Sequence, residues 1–142
     1  MQLVRHLLEG KPVGVVSIRP DAMVLDAIRL MAEHGIGSVL VMRGSALLGI
    51  ASERDYTRKV ALKGRASATT PVQDIMSSPV KTVSPDATIH DCMQMMTDSR
   101  VRHLAVIDGE RVVGVVSIGD LVKALLELQK NEIAQLQQYI SS

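Results

Sequence analysis

The feature that most constrains this chain is an internal repeat. Residues 16–60 align without a gap with residues 81–125, at an offset of 65 residues. The copies agree best at their ends, which read Gly-Ile-Ala-Ser-Glu-Arg-Asp at 49–55 and Gly-Val-Val-Ser-Ile-Gly-Asp at 114–120. A repeat of this length is a complete supersecondary unit. Because each copy alone would be a marginal folding unit, we expect both to pack into one body.

Each copy predicts the order strand, helix, strand, strand, helix. Ile89, Cys92, Met93 and Met96 form one apolar stripe at helical spacing, and the first copy has the same stripe. Asp108-Gly109 is a strong hairpin signal, and Arg43-Gly44 is a weaker one. The polar stretch 63–71 reads as a linker, which divides the chain into repeat units 1–71 and 72–142. The predicted strands are Val13–Ile18, Val39–Met42, Leu47–Ala51, Val80–Val83, Leu104–Ile107 and Val112–Val116.

The last predicted helix runs from Leu121 to about Tyr139 and is longer than its counterpart in the first copy. It carries a second apolar stripe at Leu126, Ile133, Leu136 and Ile140. The stripe can pack on its own domain or contact a partner helix at a subunit interface. The extra length of the helix favours the interface.

Composition argues against several classes of function. The net charge of +1 gives no global attraction to nucleic acid or to an anionic membrane. Aromatic residues make up 1% of the chain, too few for the stacking platforms of single-strand binders. No apolar run approaches the length of a membrane helix, and the N-terminus has no apolar stretch typical of a secretory signal. We therefore expect a cytoplasmic protein that binds neither membranes nor nucleic acid.

The sequence offers no catalytic or metal site. Its four histidines lack metal-ligand spacing, and neither a nucleophile elbow nor a phosphate-binding glycine loop is present. The single cysteine, Cys92, falls on an apolar helix position and is expected to be a buried, inert thiol. We expect that the protein is not an enzyme.

Both copies end in a Gly-h-x-Ser-x-x-Asp motif, where h is apolar, and this motif follows an apolar hairpin. Two such units in register resemble the tandem CBS domain, or Bateman module, over about residues 3–130. Val72-Gln-Asp-Ile-Met76 resembles the segment that leads into such a unit. Arg102-His-Leu-Ala-Val106 resembles the family's third-strand segment, with alanine where proline is common.

The resemblance implies an α+β fold in which two β-α-β-β-α CBS repeats pack about a pseudo-twofold axis. Their sheets face each other and leave two clefts, and here a long C-terminal helix follows. Such clefts often hold AMP, ADP, ATP, NAD or S-adenosylmethionine, and we expect AMP foremost. No cofactor is required. The resemblance further implies a regulatory module, a homodimer, and a regulated partner on a separate chain.

The main nucleotide site is expected at the second motif. The resemblance makes Asp120 the ligand of the ribose hydroxyls, with Ser117 bonding to ribose or phosphate. Arg102 and His103 precede the motif and are the candidate phosphate ligands. The other residues expected at this site surround the adenine. They are Val13, Ile36, Gly37 and Val115.

A weaker second site is expected at the first motif, where the ribose ligand would be Asp55 with Ser52. The columns that match Arg102 and His103 hold glycine and serine, so Arg54, Arg58 and Lys59 are the residues that could supply cations there. Val80 and Val101 are the expected walls.

A structural interpretation stays open beside the functional one. In Ser-x-x-Asp, the serine hydroxyl can cap the following helix and the aspartate can complete a capping box. A CBS module that binds no ligand and serves only as a structural or interaction unit would have the same motif. Gly49 and Gly114 are expected to allow close packing in the strands rather than to contact a ligand.

Overall fold

Two three-stranded sheets, one from each repeat, form the frame of the molecule. The structure is a computed structural model that describes residues 2–11 and 14–141. A π-helical turn, Thr57–Ala61, follows α3, and a short 3-10 turn, Val72–Asp74, precedes the second sheet. The other elements are α1 Val4–Glu9, β1 Ser17–Ile18, α2 Val24–His34, β2 Ser38–Arg43, β3 Ala46–Ser52, α3 Glu53–Tyr56, β4 Thr82–Val83, α4 Ile89–Ser99, β5 His103–Asp108, β6 Arg111–Ser117 and α5 Ile118–Ser141.

The two sheets have the same topology and the same register. In the first, β1 runs parallel to β2, and β2 pairs antiparallel with β3. The second sheet repeats this order with β4, β5 and β6. Each antiparallel pair has a bulge at the same place, after Val41 and after Val106. Gly44 and Gly109 turn the two hairpins with positive φ angles of 61° and 65°. The predicted fold class, α+β with two equivalent units and a long C-terminal helix, is confirmed.

The structure corrects several element boundaries. The first strand of each repeat has only two paired residues, so Val80 lies before β4, and Val13 lies outside the described residues. The sequence analysis missed α1. The last helix of the first repeat, α3, ends at Tyr56 and continues as the π-helical turn.

The start of the first helix in each repeat follows from its capping residue. The Thr88 hydroxyl accepts a hydrogen bond from the Asp91 amide at 3.0 Å, and the Asp91 carboxylate accepts one from the Thr88 amide at 3.2 Å. This pair of hydrogen bonds is a capping box. In the first repeat, Met23 stands in that place and α2 has no side-chain cap.

The two hydrophobic cores exchange segments across the repeat boundary. The first contains Val72 and Ile75 from the segment after the linker, packed with α2, β2 and β3. The second contains Val4 of α1, whose amide donates to the Ala87 carbonyl at 2.9 Å. Each repeat is therefore completed by the segment that precedes the other, and the division at residue 71 stays a description of the sequence repeat.

The faces between the sheets are buried as well. Along β2, Val39 and Val41 join the first core, whereas Leu40 points to the opposite face and is still fully buried. Ala105, its equivalent 65 residues later, is fully buried outside the second core. Such burial on both sides of a sheet requires that the other repeat covers the second face.

No helix among residues 2–11 and 14–141 is long and apolar enough to cross a membrane. Most of α5 extends beyond the cores, since Leu121 and Ala124 are its buried residues and positions 126–141 are all exposed.

Candidate functional site

A cavity of about 420 Å³ lies between the two repeats. Its walls come from the turn after α2 and the start of β2 in the first repeat, and from β5, β6 and the start of α5 in the second. The two repeats approach each other closely here: a Cβ on Gly37 would lie 3.4 Å from the His103 Nε2 atom. The volume falls within the range of small-molecule sites.

Asp120 is the carboxylate of this cavity. One of its oxygens, Oδ2, accepts hydrogen bonds from the Ser117 amide and the Lys11 ammonium, both at 2.8 Å. The Ser117 hydroxyl accepts from the Asp120 amide at 3.1 Å and so caps α5. Among the described residues, no hydrogen bond of Asp120 uses Oδ1. Burial by itself raises the pKa of this carboxyl, but the bonds from Lys11 and Ser117 outweigh burial and hold the pKa below its ordinary value.

Lys11 is the cation that faces Asp120, and the sequence analysis missed it. Its ammonium also donates to the Val115 carbonyl at 2.8 Å. The Lys11 and Asp120 side chains are 24% and 25% exposed, so solvent screens this ion pair less than a surface pair. The lysine comes from the segment after α1, which packs on the second repeat through Leu8 and Val4.

His103 lines the cavity beside this pair. Burial lowers its pKa, the nearby Lys11 ammonium lowers it further, and Asp120 and Glu53 act in the opposite direction with smaller effect. The imidazole is therefore neutral near pH 7. It can exchange hydrogen bonds with a ligand without bringing a positive charge to the cavity.

Six of the eight residues predicted for the main site line this one cavity: Ile36, Gly37, His103, Val115, Ser117 and Asp120. Arg102 does not, because it lies just before β5 with its side chain exposed, and its carbonyl accepts from the Ile118 amide. The expectation that Arg102 binds phosphate in this cleft is not supported. Val13 lies outside the described residues.

None of the six residues predicted for the second site lines this cavity, although all six are described. Ser52 and Asp55 are together, as the capping box of α3. Arg54 and Arg58 are exposed, Val80 is half-buried, and Val101 packs against the second core.

Asp55 is surrounded by donors. Oδ2 accepts from the Ser52 amide and hydroxyl at 3.0 Å, and Oδ1 accepts from the Ser77 hydroxyl at 3.3 Å. The Lys59 ammonium lies 3.2 Å from Oδ1 and donates to the Ile75 carbonyl. The side chain of Asp55 is 12% exposed, so this carboxylate is a structural group with both oxygens engaged.

The two motif glycines allow close packing, although Gly114 also lines the cavity. A Cβ on Gly49 would lie 2.5 Å from the Met76 sulfur, and one on Gly114 would lie 2.7 Å from a Leu8 methyl carbon. The segments before the two first strands therefore cross the two sheets at equivalent glycines.

Sequence reasoning missed most of the remaining wall of the cavity. One signal could have revealed Lys11. It aligns with Met76, so it places a charged residue in an apolar segment just before a strand. The cavity wall also includes Lys123, which is equivalent to Arg58. The other missed residues are Leu8, Gly10, Gly14, Val16, His34, Gly35, Ser38, Val113 and Gly114.

The described residues contain no group of three or more histidine, cysteine or acidic side chains that could hold a metal ion. Cys92 is fully buried, and burial raises the pKa of its thiol.

Comparison with known proteins identifies the family. The CBS domain family profile matches residues 11–62 and 72–127. The chain is 42% identical over 125 residues to the mitochondrial CBS domain-containing protein CBSX3 of Arabidopsis thaliana. That match covers 84% of this chain and 61% of the plant protein.

Two solved structures share the architecture. One is a protein with CBS domains from Burkholderia ambifaria, at a TM-score of 0.84 and 43% identity, covering 89% of this chain and 95% of that one. The other is a CBS domain protein from Pyrobaculum aerophilum complexed with AMP, at a TM-score of 0.75 and 25% identity, covering 91% and 99%. The chain belongs to the CBS domain family and carries two CBS domains in tandem.

Proposed function

We propose that this protein is a regulatory module that binds an adenine nucleotide in the cavity between its repeats and signals to a separate protein. The observation that carries the proposal is the Asp120 carboxylate, which faces a cavity of about 420 Å³. Among the described residues, no donor makes a hydrogen bond to its Oδ1 atom. A carboxylate can accept two hydrogen bonds from the paired hydroxyls of a ribose.

The other cavity residues suit the rest of a nucleotide. Ile36, Val16 and Val115 give apolar walls for adenine, and neighbouring backbone groups can read its polar edge. Ser117 and the neutral His103 can hydrogen-bond the phosphate, and Lys123 of α5 supplies a cation at the rim. In this arrangement the nucleotide is held by charged groups and by the shape of the cavity, and no aromatic side chain stacks on the adenine.

AMP is the favoured ligand, with ADP, ATP, NAD and S-adenosylmethionine as alternatives. The AMP complex of the Pyrobaculum relative supports an adenine nucleotide in a fold of this kind. A thermal-shift panel with these five compounds tests the proposal. A saturating ligand at a hundredfold excess over Kd stabilises the fold by about 2.7 kcal/mol. A flat response to all five at millimolar concentration would overturn the proposal.

A second candidate function is a CBS module that acts without a ligand. Two observations favour it: capping accounts for Ser-x-x-Asp in both repeats, and Lys11 already pairs with Asp120. Mass spectrometry of gently purified protein separates the candidates, since retained nucleotide is expected only for a binding module.

The proposed assembly is a homodimer in which α5 takes part. Its exposed apolar residues include Leu126, Ile133, Leu136 and Ile140, which are 55% to 81% exposed. Because helices of this kind gain most of their stability from packing an apolar face, a partner helix is expected to cover the stripe. Sedimentation is the test: a monomer near 15 kDa at micromolar concentration would contradict the dimer.

The protein is proposed to regulate its partner rather than to catalyse a reaction, and to work in the cytoplasm. The name of the Arabidopsis relative places that protein in mitochondria, so cell fractionation is the direct test of the compartment.

A further inference from the structure

We propose that Lys11 is a tethered competitor of the nucleotide: its ammonium occupies acceptors that the ligand needs, and binding requires its displacement. This inference rests on the proposed function and concerns how that site is regulated. It arises from the three residues that the structure brings together across the sequence, Lys11, Val115 and Asp120.

The lysine satisfies the acceptors on that side of the cavity. Its ammonium lies 2.8 Å from both the Val115 carbonyl oxygen and Asp120 Oδ2. Oδ2 also accepts from the Ser117 amide, so both of its principal acceptor positions are taken. Only Oδ1 remains for a ligand.

A ribose that binds through both hydroxyls places one on each carboxylate oxygen. Oδ2 can accept such a hydroxyl only if it gives up a present donor. The Ser117 amide is fixed by the backbone at the end of β6, whereas the Lys11 ammonium sits at the end of a flexible side chain. Lys11 is therefore the donor that leaves, and the free-energy cost of breaking its charge-assisted bond is subtracted from the binding of the nucleotide.

The N-terminal segment that carries Lys11 is anchored to the second repeat, and this anchoring makes the competition effective. Val4 is fully buried in the second core, the Arg5 amide donates to the Pro85 carbonyl at 3.0 Å, and Leu8 packs over Gly114. These contacts hold Lys11 close to Asp120. An intramolecular group has a high effective concentration, so a single lysine can compete with a ligand at cellular levels.

The counterpart of Lys11 in the other repeat is Met76, which packs over Gly49 and brings no charge to Asp55. The competitor is thus a property of one cleft only. Met is also the substitution that keeps the apolar stem of Lys11 and removes its charge.

The test measures adenosine binding by calorimetry for the wild-type protein, Lys11→Met and Lys11→Gln. Adenosine is the probe because it has the ribose but no phosphate, so the loss of a cation cannot weaken an attraction to phosphate. Lys63→Met, an exposed lysine of the linker, is the matched control. Thermal unfolding of each variant verifies that it folds, and AMP is titrated in parallel.

We expect adenosine to bind Lys11→Met about tenfold more tightly than wild type, the value of one charge-assisted hydrogen bond at the low end of its range. Lys11→Gln should gain less, because its amide can still donate to Val115, and Lys63→Met should match wild type. Unchanged or weaker adenosine binding in both Lys11 variants, with AMP still bound by wild type, overturns this inference alone. Failure of every protein to bind either compound overturns the proposed function and this inference with it.

Discussion

Asp55 and Asp120 occupy the same position in the two repeats, and their surroundings differ. Each follows a serine by three residues and closes a turn onto the next helix. Asp55 accepts hydrogen bonds on both oxygens and is nearly buried, whereas Asp120 faces an open cavity with Oδ1 unused. A shared motif therefore fixes the local turn without fixing whether its carboxylate is free for a ligand.

The difference comes from the residues that each repeat brings to its aspartate. The lysine beside Asp55 is Lys59, from the same helical segment, and its equivalent in the second repeat is the buried Ala124. The lysine beside Asp120 is Lys11, from a distant segment. A ligand can displace a single flexible side chain more easily than the several donors around Asp55.

The largest expected effect is on ligand binding. Asp120→Ala removes both acceptors for the ribose hydroxyls and should weaken AMP binding about hundredfold, since charged hydrogen bonds contribute about 1.5–3 kcal/mol each. Asp55→Ala should leave AMP affinity within about threefold. Calorimetry with AMP measures both, and Asp108→Ala, on an exposed hairpin, is the control. Strong loss in Asp55→Ala with retention in Asp120→Ala would reverse the assignment of the clefts.

For stability, the expected order of the two variants is reversed: Asp55→Ala should be the more harmful one. Asp55→Ala should lower the free energy of unfolding by about 2–3 kcal/mol, because it removes the carboxylate half of the capping box, the acceptor of the Ser77 hydroxyl and the ion pair with Lys59. Asp120→Ala should cost about 1 kcal/mol, since the Ser117 cap of α5 remains and Lys11 can turn toward solvent. Urea unfolding of both variants measures the difference. Equal losses would show that Asp55 is no more structural than Asp120.

The two motif glycines offer a third test. Gly49→Ala would press against the Met76 side chain and also the Ser77 carbonyl at 3.0 Å, which belongs to the backbone. We expect a loss of about 1–3 kcal/mol. The three atoms nearest to a Cβ on Gly114 all belong to the flexible Leu8 side chain, so Gly114→Ala should cost less. Thermal unfolding compares the two, and a larger loss for Gly114→Ala would contradict the packing described here.

The smallest expected effect is a dependence on pH that only the second repeat provides. Burial lowers the pKa of His103, so the unfolded chain takes up a proton near pH 6.5, where the folded protein does not. The free energy of unfolding therefore falls as the pH is lowered from about 6.5 toward the folded pKa.

His103→Gln should flatten the pH profile of stability in this window, by less than about 1 kcal/mol. Ser38, the equivalent residue in the first repeat, does not titrate and therefore adds no pH dependence to the stability. Unfolding at several pH values, with NMR titration of the imidazole, is the measurement. A His103 pKa above its ordinary value would contradict the buried, neutral histidine.

Much of the fold could be predicted because it depends on local pattern. The capping box at Thr88, the hairpin at Gly109 and the apolar stripe on α4 all follow from residues close in sequence. The short first strands and the π-helical turn after Tyr56 could not be predicted, because tertiary packing sets where pairing and helical hydrogen bonding end.

The candidate site was predicted where the repeat itself builds it. Ser117 and Asp120 lie together because they are three positions apart at a helix start, and Ile36 joins them through the pseudo-twofold arrangement. Arg102 and His103 were assigned to the cleft because they stand where the resembling family binds phosphate, but successive residues of an extended chain point in opposite directions, and of the two His103 lines the cavity.

The sequence by itself determined the repeat, the order of its elements and the membership of the family, because periodicity and motif spacing are properties of the chain. The tertiary structure alone decided that the cores exchange their leading segments, that Lys11 reaches Asp120 across 109 residues, and that Asp55 is enclosed. Contacts between distant segments depend on how the two sheets pack, and no local pattern contains that information. The packing of the two sheets therefore decides which charged groups face the cleft, and with them the proposed ligand chemistry.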